Sequence, residues 1–84
     1  MLPLSEVEEM QIENDTHQIF CERLCEILDD QDLSYSDLAR LAGLNRSTIN
    51  HWLNGINPTI ITVVKICRAL YVSSDYLLGL SDKP

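Results

Sequence analysis

Between Leu33 and Gly55, apolar residues recur at helical spacing in two short runs parted by a single glycine. Ser34 precedes the first run and Asp37 follows it by three, so hydroxyl and carboxylate can each satisfy an orphan amide, and a helix is predicted to start near Tyr35. It carries Leu38, Ala39, Leu41 and Ala42 on an apolar side and ends at Gly43, a residue that tolerates a left-handed backbone. Ala39 is small enough to let a second helix approach. That helix is predicted from Arg46 to Asn54, capped by Asn45, closed by Gly55 and barred from continuing by Pro58. Stepping 100° per residue from Arg46 puts Ile49, Trp52 and Leu53 in one apolar sector, with Ser47, Asn50, His51 and Asn54 roughly opposite.

The flanks read as further helices. One is predicted from Thr16, capped by Asp15, to Asp30, with Ile19, Phe20, Leu24, Ile27 and Leu28 inward. Thr59 can cap another reaching Leu70, with Val63, Ile66, Cys67 and Leu70 toward the core, although the β-branched run from Ile60 to Val64 has strand propensity. Ser73 or Ser74 starts a short last helix through Leu78, ended by Gly79. Residues 1–14 are acidic with a weak apolar spacing at Leu4, Val7 and Met10, and are read either as disordered or as an extra helix that docks only on a partner. Residues 15–84 form the single expected domain.

Two short capped helices hinged at a glycine make a helix-turn-helix, which points to DNA. An exposed face of amides, a hydroxyl and an imidazole, without Lys/Glu pairs, offers hydrogen bonds to base edges; an ordinary helical hairpin is the competing reading. Net charge of −7 runs against this, but its distribution matters. Residues 1–32 hold ten Asp/Glu and one Arg, whereas residues 33–84 hold three Asp/Glu and five Lys/Arg. The acid is segregated, so global charge disfavours strong non-specific binding without opposing specific recognition.

Cys21, Cys25 and Cys67 are an odd set on apolar helix faces, expected to be reduced core fillers. His17, Cys21 and Cys25 share one helix face but lack a fourth ligand, so no metal and no cofactor are expected. No phosphate loop or nucleophile with a base and orienting acid is present, so an enzyme is the least favoured class. The apolar stretches are too short to span a membrane and the acidic start does not resemble a secretory signal, so a cytoplasmic location is expected.

The same residues resemble the lambda-repressor-like, Cro/CI-type (Xre) helix-turn-helix family over about residues 16–82, through Leu38-Ala39, Gly43, Ile49, Trp52, Gly55, Pro58 and the Asp75-Tyr-Leu-Leu-Gly ending. The resemblance implies an all-α fold, a compact five-helix domain whose second and third helices are the helix-turn-helix, and decides for helix over Ile60–Val64. It implies that the helix from Arg46 enters the major groove. Arg46, Ser47 and His51 then occupy base-reading positions with Asn50 adjacent, while Tyr35 and Asn54 fall where relatives touch the DNA backbone. Arg46 suits guanine O6 and N7, against the plainer reading of a surface arginine balancing Asp37; His51 is as often idle, and Tyr35 could instead cover the first helix with its ring. The chain departs from the family at Asp29-Asp30-Gln31-Asp32 and at Ile56, where basic residues are common. Leu28 and Leu53 stand where relatives bury an arginine–glutamate pair, so they are expected to contact each other.

The expected function is a sequence-specific transcriptional regulator of bacterial or phage type, a repressor by first reading, binding double-stranded DNA at an inverted repeat as a homodimer with half-sites roughly 34–36 Å apart. The apolar tail Tyr76-Leu-Leu-Gly-Leu80 also suggests dimerisation, unless Leu77 and Leu78 simply seal the core. The alternative is an antitoxin or other protein-interaction module whose acidic N-terminal third engages a protein partner. A neighbouring toxin gene would favour the alternative, and a divergent promoter would favour the repressor.

Overall fold

The computed structural model describes residues 3–84. Five helices follow in order: α1 Glu6–Asp30, α2 Tyr35–Ala42, α3 Arg46–Leu53, α4 Ile60–Leu70 and α5 Ser74–Leu77. No strand occurs among the described residues, and none of their helices is long and apolar enough to cross a membrane. The β-branched run of α4 is helical, with the Thr59 side chain accepting from the Thr62 amide as its cap. Ser73 caps α5 in the same way, through the Tyr76 amide.

α1 begins ten residues earlier than Thr16. Ser5, not Asp15, is the N-cap: its hydroxyl accepts from the Glu8 amide, and Glu6, Glu8 and Glu9 put negative charge against the positive end of the helix dipole. Residues 6–14 of the acidic extension form the first turns of α1; Met1 and Leu2 lie outside the described residues.

The core gathers Phe20, Leu24, Ile27 and Leu28 from α1, Leu38 and Ala42 from α2, Ile49 and Trp52 from α3, Val63, Ile66 and Leu70 from α4, and Leu77. Phe20 and Trp52 meet edge to face, centroids 5.5 Å apart at 90°. Arg23 holds the C-terminal segment to α1: it donates to the Tyr76 and Ser81 carbonyls, pairs with Asp82 and stacks 4.4 Å from the Tyr76 ring centre. Gly79, at φ +80°, passes so close to Ile19 that a Cβ would lie 3.1 Å from that side chain.

Several expected core positions are corrected. Leu41 is 47% exposed, because α2 buries the arc that runs through Leu38, Ala42, Tyr35 and Ala39, and Leu41 falls on the opposite edge of Leu38. The expected buried Leu28–Leu53 pair is not formed: Leu28 is in the core and Leu53 is 56% exposed. The buried arc of α3 is centred between Ile49 and Trp52 with Thr48 alongside, so Leu53 shares a face with Arg46 and Asn50. Cys25 is exposed rather than inward. Cys21 and Cys67 are half-buried, and burial pushes both thiols above their ordinary pKa, with Glu22 adding to the shift at Cys21.

Candidate nucleic-acid interface

The geometry of the helix pair is set by its caps. Ser34 and Asp37 form the reciprocal capping box, the amide of Asp37 donating to Ser34 Oγ at 3.1 Å and the amide of Ser34 to Asp37 Oδ2 at 2.9 Å. These bonds and the Arg40 guanidinium at 3.3 Å hold the Asp37 carboxyl below its ordinary pKa. α2 stops where Gly43 turns left-handed at φ +67°, its amide and that of Leu44 both returning to the Ala39 carbonyl. Asn45 stands at the N-cap of α3, but its side chain makes no capping bond. The Thr48 amide returns to the Asn45 carbonyl at 3.0 Å, so the amides of Arg46 and Ser47 are the ones left for another acceptor, which a phosphate or base edge can supply.

α3 presents Arg46, Ser47, Asn50 and His51 outward while Ile49 and Trp52 anchor it inward. Its far end is fastened to α1, where His17 Nε2 lies 2.9 Å from the Trp52 carbonyl oxygen. The Arg46 guanidinium donates to the hydroxyl of Ser36, in the first turn of α2, and this contact brings Arg46 beside Tyr35. Cys25, Asp29, Tyr35, Ser36 and Arg46 line one shallow depression. Tyr35 packs against the core, and burial pushes its phenol above the ordinary pKa, with the Cys25 and Cys21 thiols adding to the shift. The Tyr35 ring covers the edge of α1, and the residue borders the face that carries Arg46.

The remaining candidates sit further along. His51 lies at the other margin, beside Thr48, Asn57 and Thr59. Asn54 is the C-cap of α3, its amide nitrogen donating to the Asn50 carbonyl at 2.9 Å, which leaves its carbonyl oxygen and one N–H free. Arg46 is not balanced by Asp37, whose ion-pair partner is Arg40. Ser36 was not legible as a functional residue, because ten residues separate it from Arg46 and only the crossing of α2 and α3 joins them.

The arrangement offers hydrogen-bond donors and acceptors on an exposed, firmly anchored helix, with Asp29 as an acidic neighbour. Among the described residues no group of three His, Cys, Asp or Glu side chains is placed to hold an ion. His17 Nε2 is engaged with Trp52, and Cys25 is out in solvent.

Searches of curated proteins and of solved structures returned no match. A family model described as helix-turn-helix matches residues 26–77, from the last turns of α1 to the end of α5. That span covers more than half of the sequence and contains both motif helices with the capping and burial just described. The chain belongs to the lambda-repressor-like, Cro/CI-type (Xre) helix-turn-helix family, whose members are DNA-binding regulators of transcription.

Proposed function

We propose that this regulator acts as a repressor, binding as a homodimer to an inverted-repeat operator with half-sites about one helical turn apart. The observation that carries this reading is the outer face of α3, where Arg46, Ser47, Asn50 and His51 are exposed while Ile49 and Trp52 are buried beneath them. Arg46 grips guanine O6 and N7, Asn50 matches the donor–acceptor edge of adenine, and Ser47 and His51 supply single hydrogen bonds to either strand. Tyr35 and Asn54 contact phosphates and set the register of the helix in the groove. With few basic residues on the domain, affinity depends on two half-sites being read together. The protein works on genomic DNA in the cytoplasm and performs no catalysis of its own.

Selection from a random pool of duplex DNA at low salt tests this. An enriched inverted repeat, lost with Arg46→Ala, supports it. A pool without enrichment overturns it and transfers the fold to the role of a protein-interaction module, the reading that the exposed acidic turns of α1 favour.

A further inference from the structure

The first turns of α1 lie outside the core, with every residue from Glu6 to Asp15 exposed. Val7 and Met10, three apart, lie on one side of this arm, Val7 73% exposed, and Leu4 is exposed just before its cap. Glu6, Glu9 and Glu13 follow on the adjacent side, and among the described residues no cation lies within 4 Å of these carboxylates. A helical segment without tertiary packing is marginal in water. An uncovered apolar stripe on such a segment is therefore suited to a partner.

The body of the same molecule carries a complementary surface. Between α1, α4 and α5 runs an open groove of about 390 Å³, lined by Phe20, Pro58, Ile60, Val63, Val64 and Leu78. Its rim continues along the outer side of α4, where Ile60, Ile61 and Val64 are exposed, Ile60 at 82%, and give way to Lys65 and Arg68. Neither cation has a carboxylate within 4 Å among the described residues. The groove and the α4 side thus match the arm in kind: apolar against apolar, with unpaired bases where the arm has unpaired acids.

A molecule cannot fill its own groove in this way. Thr16, His17 and Phe20, which line it, belong to the same unbroken helix as the arm, and the arm continues the axis of α1 beyond them. Turning back would require breaking α1. We propose that the arm of one copy docks on the groove and the outer side of α4 of a second copy, and reciprocally, making an isologous two-fold dimer. Val7 and Met10 cover Ile60, Ile61 and Val64, and Glu9 and Glu13 face Lys65 and Arg68. This inference rests on the dimeric reading above and names the surface it uses.

Sedimentation equilibrium of the full chain is the test, with far-UV circular dichroism confirming that each variant remains helical. The wild type should dimerise. Val7→Lys with Met10→Lys, Glu9→Lys with Glu13→Lys, and Lys65→Glu with Arg68→Glu should each raise the dimer dissociation constant by roughly tenfold or more, and combining the last two pairs should recover most of the loss. A dimer indifferent to all three pairs overturns the proposal while leaving dimerisation standing through another surface. A wild type that stays monomeric at every concentration overturns the proposal and the dimeric reading together, and assigns the groove to a foreign helix or an apolar small molecule. DNA selectivity, measured by the random pool, is decided separately from either result.

Discussion

The His17 imidazole donates from Nε2 to the carbonyl oxygen of Trp52 at 2.9 Å, and one turn along α1 the Phe20 ring meets the Trp52 indole edge to face. These contacts tie the C-terminal end of α3 to α1, so the outward side of α3 is held by the core and not by its own short length. An eight-residue helix has little stability alone. Its orientation is a tertiary property.

Trp52→Ala should therefore cost about 3–5 kcal/mol of stability, the range for emptying a large aromatic site. Leu53→Ala should stay within about 0.5 kcal/mol, as for an ordinary surface position. Urea denaturation followed by circular dichroism separates the two; equal losses would contradict the burial pattern of α3.

Arg46→Ala should relax preference at one base position and cost about 1–3 kcal/mol of binding. Ser36→Ala, which leaves the guanidinium present but removes its hydroxyl partner, should weaken discrimination at that same position by less. Tyr35→Phe and Asn54→Ala should lower affinity for all sequences alike. Competitive binding with single-base operator variants distinguishes these patterns.

Asp29 lines the same depression as Tyr35 and Arg46, where a phosphate would approach. Asp29→Asn should tighten DNA binding at low salt, with the gain fading as the Debye length shrinks to about 10 Å at 0.1 M. A titration across ionic strength checks this, and a gain independent of salt would point to a local hydrogen bond instead.

The Asp37 carboxyl is held below its ordinary value of 3.8 by the Ser34 amide and hydroxyl and by Arg40. A carboxyl whose folded pKa is depressed contributes stability that is present above its unfolded value and lost as pH falls through the folded one. Acid titration of the wild type should show this loss below about pH 4, and Asp37→Asn should remove that part of the slope. The exposed position keeps the effect small and salt-sensitive.

Most of the fold was legible in the sequence because its signals are local. The Ser34–Asp37 box and Gly43 satisfy or end α2 through neighbours three to five residues away, so spacing identifies them, while Thr59 and Ser73, equally local caps, were legible only as candidates, Ser74 competing with Ser73. The exposure of Ser47, Asn50 and His51 followed from the same short-range logic, whereas the five-helix architecture, and helix over the β-branched start of α4, rested on the family resemblance. The start of α1 was missed because Ser5 and Asp15 are both competent caps, and Ser5 has three acidic residues in the turn that follows it. Tertiary structure decided the rest. Periodicity locates an apolar sector only to within about one residue step of 100°, so it could not tell that the centre of the α3 face lies toward Thr48 and Trp52 rather than toward Leu53, nor that Leu41 and Cys25 fall at solvent edges. The Arg46–Ser36, His17–Trp52 and Arg23–Tyr76 contacts join residues 10, 35 and 53 positions apart. Such partners meet only when helices cross, and crossing is fixed by how the whole core packs.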